Sequence, residues 1–439
     1  MLTIAIVAVF LTGYTCIALE SVLKINKAAI ALLMFVACWT LLMVAPGAYY
    51  PGGQDAVDQV LTAIEGCLGE TSTTLFFLMG AMTIVEVVDQ NGGFNFVRDI
   101  LGTRSKRSLL WRIAVMTFFL SAILDNLTTS IVLIMVLRKL VPERQDRLIY
   151  DSLIVIAANA GGAFSPIGDV TTIMLWNGGM ITAAKTIASL FIPSVLSMML
   201  PAFLLQYGLH GNVDRTGSDN TATREQELKS WERKTVFVLG VGGLIFVPVF
   251  HYLTDLPPFM GILFVLALLW ITTELFYAHL KTDETASHRV AHLLSHIDMA
   301  TILFFLGILM AVNCLKEIGV LSLLGEWLNG VSGGNHYLVT GCIGIVSSIV
   351  DNVPLVAGCM GMYPLSPVGD MAVDGTFWQL LAYCAGVGGS MLIIGSAAGV
   401  VAMGLEGISF GWYLKRITPI AFIGYLAGML FYWLQSLLF

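Results

Sequence analysis

Charged residues are scarce in this sequence of 439 residues, where Asp, Glu, Lys and Arg together make up only 12%. Soluble domains carry about 25% charged residues, so a soluble globular fold is excluded. Hydrophobic residues reach 57%, and the mean hydropathy is +0.84. No basic run predicts nucleic-acid binding, and the net charge of −7 indicates no partner. These proportions indicate a polytopic membrane protein whose main surroundings are the lipid bilayer.

Cysteine motifs are also missing, and no cleaved leader is expected. The seven cysteines form no Cys-x-x-Cys pair, so we expect small buried hydrophobic side chains and no redox centre. The apolar segment 2–19 has neither a charged leader nor a small-x-small cleavage site, and we expect it to be a retained helix. Glycine, by contrast, is plentiful at 44 residues, which suits close helix packing and interrupted helices.

Apolar stretches of about 20 residues are long enough to cross the hydrocarbon core as helices. Ten such spans are predicted, at residues 2–19, 27–45, 71–89, 149–180, 186–208, 235–253, 258–279, 298–316, 376–404 and 417–438. Basic residues near the span ends predict which connections are cytoplasmic. By this rule the loops 209–234 and 280–297 lie inside, and the acidic loop 46–70 lies outside.

Two more apolar stretches, 109–140 and 337–362, are each interrupted by Asp-Asn. The first has basic flanks on both sides and is predicted to start and finish in the cytoplasm. The second has acidic flanks and is predicted to enter from outside. Their arms reach only about 21–24 Å, which is too short to cross, so we interpret both as re-entrant hairpins with tips inside the membrane.

The two halves of the chain share three sequence blocks in the same order. LFFLMGAM at 75–82 matches LFFLGILM at 303–310, SAILDN at 121–126 matches SSIVDN at 347–352, and a Gly-Gly-x-x-x-x-x-Gly pattern at 161–168 recurs at 388–395. Offsets of 226–228 residues predict an internal repeat of five spans and one hairpin. An odd number of crossings inverts the second copy relative to the first, which is the architecture of many secondary transporters.

The predicted fold is therefore an all-α polytopic membrane protein with an inverted repeat and broken helices at the midplane. The first repeat covers 1–210, a cytoplasmic linker covers 211–234, and the second repeat covers 235–439. Both termini are then predicted to lie outside, on the periplasmic side of a bacterial membrane.

Carboxylates inside apolar sequence are the strongest functional signal. Asp125 and Asp351 lie at the hairpin tips, and Asp169 lies in the span 149–180, which glycine and proline are expected to break. Each charge costs roughly 2.5–3.5 kcal/mol at a bilayer centre, so a compensating cation is expected. We predict a Na⁺ site at these three aspartates. Other oxygen ligands are expected from Asn126, Thr129, Asn159, Ser165, Thr171, Thr172, Ser347, Asn352, Ser390 and Ser396.

The same carboxylates can carry a proton instead of Na⁺, because protonation removes the charge that Na⁺ needs. If the charged, empty site cannot cross the apolar barrier, only loaded forms reorient. Competition and this barrier together are sufficient for Na⁺/H⁺ exchange. No Lys or Arg lies in the motif cores, which argues against an anionic substrate.

At LDNLTTSIV, ANAGGAFSPIGDVTT and SSIVDNVP the chain resembles the NhaD-type sodium/proton antiporters of the ion transporter superfamily. The resemblance covers essentially the whole length. It implies exchange of cytoplasmic Na⁺ or Li⁺ for external protons in a bacterial inner membrane, with a role in pH homeostasis and no cofactor. It also implies a homodimer in which a transport domain moves against a scaffold, as an elevator.

The main alternative is a Na⁺-coupled organic anion symporter, because sodium/dicarboxylate carriers belong to the same superfamily. Those carriers have Ser-Asn-Thr at the tips, where this chain has Asp125 and Asp351. An aspartate repels a carboxylate substrate. Arsenite extrusion is another activity in the superfamily, but nothing in this sequence resembles a thiol site for a metalloid. An intramembrane aspartyl protease is only faintly suggested by Tyr150-Asp151 and Gly168-Asp169, because Pro166 replaces a required glycine.

Two further groups have open interpretations. Glu86, inside the span 71–89, belongs either to a proton path or to the inner interface. His288, His292 and His296 repeat at i, i+4 and i+8. This spacing predicts a pH sensor, a metal-chelating face or, most simply, exposed imidazoles on an interfacial helix.

Overall fold

The computed structural model describes residues 2–18, 23–50, 55–93, 100–103, 105–213, 228–278, 290–349 and 351–438. Within these ranges the chain is helical and contains no β-strand. The α-helices are α1 Leu2–Ala18, α2 Lys27–Val44, α3 Asp55–Gln90, α4 Lys106–Leu124, α5 Asn126–Leu140, α6 Arg144–Ala163, α7 Val170–Asn177, α8 Ala183–Leu205, α9 Ser230–Thr254, α10 Pro258–Tyr277, α11 Val290–Leu293, α12 Met299–Glu317, α13 Val320–Ser332, α14 His336–Ser347, α15 Asn352–Met362, α16 Thr376–Gly388, α17 Ala397–Glu406, α18 Phe410–Arg416 and α19 Thr418–Leu438.

Eight of the described helices are long and apolar enough to cross a bilayer, namely α2, α3, α4, α8, α9, α10, α12 and α19. A ninth span results if α17 and α18, which bend by 117°, are counted together. This set is that of a multi-pass membrane protein. Seven of the ten predicted spans belong to it. Of the other three, α1 has only 17 residues, and the spans 149–180 and 376–404 are interrupted.

Helices α3 and α4 are both longer than the sequence predicted. Helix α3 has 36 residues and begins at Asp55, so residues 55–70 are helical where a loop was expected. Acidic residues keep this stretch out of hydrocarbon but do not prevent a helix, and it contains no proline. Helix α4 has 19 residues, about 28 Å, and is long enough to cross the membrane, so the prediction that this hairpin arm is too short to cross was wrong. It starts early because Ser105 caps it by accepting a hydrogen bond from the Ser108 N–H.

Corresponding helices of the two halves make corresponding contacts. Helix α2 packs against α12, and α10 packs against α3. Within the halves, α1 packs on α2 as α9 does on α10, and α4 packs on α6 as α14 does on α16. Helices α8 and α19, which hold equivalent positions, pack against each other. The packing of the first half therefore recurs in the second with the partners exchanged.

Glycines allow the closest of these approaches. A Cβ atom on Gly161 of α6 would overlap the backbone carbonyl of Phe118 in α4. One on Gly388 of α16 would overlap the carbonyl of Gly344 in α14. Small residues at helix interfaces let backbones approach in this way. In both halves, a glycine of the broken helix, α6 or α16, therefore allows the first hairpin arm to pack closely against it.

Candidate functional site

Helix pairs α6–α7 and α16–α17 are each separated by a non-helical stretch, which we call the first break (164–169) and the second break (389–396). Asp169 ends the first break and caps α7, where its Oδ1 accepts a hydrogen bond from the Thr171 N–H at 3.4 Å. Ser396 ends the second break and caps α17 by accepting from the Gly399 N–H at 3.3 Å. The two caps are 227 residues apart in the sequence, so each break presents one polar side chain at the same position.

An aspartate lies at each hairpin tip. Asp125, the first tip, separates α4 from α5 with φ 87° and ψ 162°, a conformation that normally requires glycine. Its carboxylate accepts hydrogen bonds from the N–H and the hydroxyl of Thr128 at 2.7 and 3.0 Å. Asp351, the second tip, has an ordinary φ of −49° and accepts from the Val353 N–H at 3.4 Å. Both aspartates therefore cap the second arm of a hairpin.

The first tip reaches the second break through buried side chains. Asn126 Nδ2 donates to Asn159 Oδ1 at 2.9 Å. Asn159 Nδ2 in turn donates to Ser396 Oγ at 2.9 Å. All three side chains are buried, so this chain of hydrogen bonds connects α5, α6 and the second break away from solvent.

The second tip reaches the first break directly. Asn352 Nδ2 lies 3.2 Å from Asp169 Oδ2 and 3.4 Å from Oδ1. Gly386 corresponds to Asn159, and a Cβ atom added there would lie 3.4 Å from Asp169 Oδ2. A larger side chain would therefore crowd the carboxylate. The two halves thus form related but unequal pockets, one with a carboxylate and one with a hydroxyl.

Several other predicted ligands bond to backbone carbonyls. Ser347 donates to Ala385 at 2.8 Å, and Ser121, its counterpart in the first half and not a predicted ligand, donates to Ala158 at 2.6 Å. Ser165 donates to Ala122, Thr172 to Asp169 and Ser390 to Val387 at 2.5, 2.8 and 2.7 Å. These hydroxyls fix helices and turns around the aspartates. The buried hydroxyl of Thr129 has no hydrogen-bond partner among the described residues.

A cavity of about 470 Å³ opens onto the second tip and the second break. Its lining includes Asp351, Ser396 and Leu127, which lies two residues after the first tip. Lys27, at the start of α2, also lines it, and its Nζ lies 3.1 Å from Asp351 Oδ2. In the sequence, Lys27 is only a basic residue at the start of an apolar span, which indicates the cytoplasmic side. No local pattern indicates this ion pair, because its partners are 324 residues apart.

Glu86 and the histidines lie apart from these contacts. The Glu86 carboxylate accepts a hydrogen bond from Gln90 one turn later and has no described contact with either tip. His288 lies outside the described residues. His292 belongs to the four-residue helix α11, and His296 belongs to a 3₁₀ turn, so they do not share one continuous α-helical face. Proton transfer and pH sensing by these residues stay predictions.

A broken helix with a buried carboxylate, here Asp169, in a protein with many helices long enough to cross a membrane, is typical of secondary ion transporters. Residues 14–379 match the citrate transporter family. Sodium/proton antiporter 1 of Arabidopsis thaliana is 44% identical over 98% of this chain and 72% of its own length. The Na⁺/H⁺ antiporter NhaD of Vibrio cholerae is 30% identical over 98% of this chain and 91% of its own. The chain belongs to this transporter family, among its NhaD-type antiporters, and it is not an enzyme.

Proposed function

We propose that this protein exchanges Na⁺ or Li⁺ for protons at the site formed by Asp125, Asp169 and Asp351. The observation that carries the proposal is the contact between the second tip and the first break, where Asn352 donates to Asp169. The contact joins Asp169 of the first half to Asn352 of the second half, and Asn352 directly follows Asp351. Such a site is rich in hard oxygen atoms, which suit Na⁺ or Li⁺.

The chemistry of exchange follows from shared ligands. A Na⁺ ion needs ionised carboxylates, and a proton on one of them removes that charge. Cation and proton therefore exclude each other, and a loaded site is less costly in the membrane than a charged, empty one. The neutral side chains of Asn126, Asn159 and Ser396 would add oxygen ligands, held in place by the hydrogen bonds that they make to one another.

We infer the architecture from the packing. The exchange of partners between corresponding helices is what a two-fold relation between the halves produces. We propose that the axis lies in the membrane plane, so that 1–210 and 235–439 are inverted repeats joined by 211–234. Elevator movement, a homodimer, periplasmic termini and a bacterial inner membrane complete the proposal. The named relatives come from a plant and from bacteria, so the membrane of residence stays a prediction.

Symport of citrate or a dicarboxylate is the second candidate, because the family carries the description "Citrate transporter". An organic anion needs a cationic or helix N-terminal site. Asp125, Asp351 and Asp169 cap the N-termini of α5, α15 and α7, where they repel an anion. Lys27, a basic residue of the cavity, is already paired with Asp351. These contacts favour a cation.

A vesicle assay tests the proposal. Everted vesicles of an antiporter-deficient bacterial strain that produces this protein are given a pH gradient, and the collapse of the gradient is followed by fluorescence. Na⁺ and Li⁺ are expected to collapse it, whereas K⁺ and citrate are not. Asp125→Asn, Asp169→Asn and Asp351→Asn are each expected to reduce the response to background, because the site loses a ligand charge.

Asp255→Asn is the matched control. Asp255 is an exposed residue after α9, and Asn tolerates its left-handed φ of 55°. Its activity is expected to equal that of the natural sequence. No response to Na⁺ or Li⁺ would contradict antiport, a response to citrate would favour symport, and full activity of all three site variants would move the site elsewhere.

A further inference from the structure

Lys27 brings a fixed positive charge to the cation site. Its Nζ lies 3.1 Å from Asp351 Oδ2 and 4.3 Å from the centre of the Phe304 ring in α12. The side chains of Lys27 and Asp351 are only 29% and 21% exposed, so the pair is partly shielded from water. A shielded ammonium between a carboxylate and an aromatic face is held more firmly than one at an open surface.

Helix stability does not explain this lysine. Lys27 is the first residue of α2, and the N-terminal end of a helix carries a partial positive charge that disfavours a cation. Asn26 already caps the helix by accepting a hydrogen bond from the Ala28 N–H at 2.8 Å. A substitution that removes the charge at position 27 is therefore not expected to weaken α2 itself.

Topology does not explain it either. A lysine that only marks the cytoplasmic side is expected to extend its side chain towards water and headgroups. Lys24, three residues earlier, is exposed in this way. Lys27 instead turns into the cavity that contains Asp351.

We propose that Lys27 is a tethered cation that competes with the transported Na⁺ for Asp351. The ammonium occupies one carboxylate of the site while no cargo is bound there, and a Na⁺ ion displaces it on binding. The inference rests on the proposed function, because it concerns the same site. It assigns Lys27 a role in setting cation affinity.

The proposed competition predicts that Lys27 lowers the affinity of the site for Na⁺. While Lys27 holds Asp351, part of the free energy of Na⁺ binding is used to separate the pair. The pair also links α2 to the second hairpin tip, so displacement by Na⁺ releases the tip from α2. A lysine with a purely structural role at position 27 would not lower the affinity for Na⁺.

The first test measures Na⁺ binding to the purified full chain in detergent. The midpoint of thermal unfolding is followed as Na⁺ replaces choline at constant ionic strength and constant pH, since bound cargo stabilises the folded state. Lys27→Met is expected to tighten the apparent Kd for Na⁺ by about two- to fivefold, the range for a partly exposed ion pair. Lys27→Arg keeps the charge and is expected to bind Na⁺ within about twofold of the natural sequence.

Lys24→Met is the matched control, because it removes the same charge from an exposed position nearby. Its Kd is expected to remain unchanged. An unchanged or weaker affinity in Lys27→Met would overturn the proposal, as would an equal gain in Lys24→Met, which would indicate a general electrostatic effect.

The second test needs no substitution and so does not depend on a variant that folds. The natural protein is treated with an amine-reactive reagent, with and without Na⁺, and labelling is measured by mass spectrometry. Na⁺ is expected to raise the labelling of Lys27 and to leave that of Lys24 unchanged. If the protein is stabilised by Na⁺ while Lys27 labelling stays constant, the competition is wrong and the cation site stands. If Na⁺ neither stabilises the protein nor changes labelling, the proposed function fails with it.

Discussion

The backbone at Asp125 is costly for the residue that occupies it. A non-glycine residue with φ 87° and ψ 162° is strained by about 1–3 kcal/mol. Glycine would remove this strain, and at a helix N-terminus it costs only a few tenths of a kcal/mol more than a capping side chain. The carboxylate therefore occupies a position where stability alone would favour glycine, as expected for a residue with a function.

Glycine substitutions at the two tips are expected to have opposite effects on stability. Asp125→Gly relieves the strained φ and should raise the unfolding temperature, because the relief of about 1–3 kcal/mol exceeds the lost cap. Asp351→Gly relieves no strain, since its φ is −49°, and it loses the pair with Lys27, so its unfolding temperature should fall. Thermal unfolding of the purified variants measures both. Equal destabilisation of the two would show that the strain at Asp125 is small, and both variants should lose exchange activity.

At the residue level the sequence identifies the aspartates but not their surroundings. A charge within apolar sequence is costly wherever it lies, so Asp125, Asp169 and Asp351 stand out without a structure. The importance of Gly386 and Lys27 depends on what lies opposite them after folding. Gly386 is one of 44 glycines, and Lys27 precedes an apolar span as many lysines do.

Among the helices, the breaks were predictable because glycine and proline act locally. Gly161, Gly162, Pro166 and Gly168 indicate an interruption near the end of α6, and the structure has it at 164–169. The helical stretch 55–70 and helix α13 were not predicted. Neither is an uninterrupted apolar run of about 20 residues, so hydropathy does not predict it.

Glycines where a hairpin contacts a broken helix are expected to tolerate alanine less well than a glycine with open space around it. Gly161→Ala and Gly388→Ala place a Cβ against a backbone carbonyl that cannot rotate away. Each is expected to destabilise by about 1–3 kcal/mol through overpacking and to reduce exchange. The unfolding temperature and the vesicle assay measure these effects.

Gly69→Ala is the control for this pair, because Gly69 lies inside α3 with open space around its Cβ position. Alanine there is expected to stabilise by about 0.5–1 kcal/mol through its higher helix propensity. If the Gly161→Ala and Gly388→Ala variants were stabilised as Gly69→Ala is, the close contacts at Gly161 and Gly388 would relax without cost.

At the scale of the whole molecule, an ion-pair cluster around the buried Glu406 side chain links the two halves. Glu406, at the end of α17, pairs with the Arg138 guanidinium at 2.6 Å and accepts a hydrogen bond from that of Arg147 at 3.1 Å. Arg138 lies in the last turn of α5 and Arg147 in the first turn of α6, so the cluster links the first half to the second. Arg144 adds a contact to the backbone carbonyl of Gly407 at 3.3 Å. The corresponding helix contacts within the two halves do not involve this cluster. In the sequence, its arginines appear only as part of a basic stretch that indicates the cytoplasmic side.

Removal of the charge on Glu406 is expected to weaken this closure. Glu406→Gln leaves two guanidinium groups without their carboxylate, and breaking a buried pair costs about 3–5 kcal/mol. The loss should lie at or below the lower end of that range, because the Arg138 side chain is 45% exposed even though that of Glu406 is only 2% exposed. Glu143→Gln is the matched control, since Glu143 is 61% exposed and its pair with Lys106 is worth about 1 kcal/mol or less. Thermal unfolding of both variants in detergent, at low and high salt, measures the difference. A Glu406→Gln variant as stable as Glu143→Gln would show that the halves are held by their apolar contacts alone, and a strong salt dependence would show that the cluster is open to solvent.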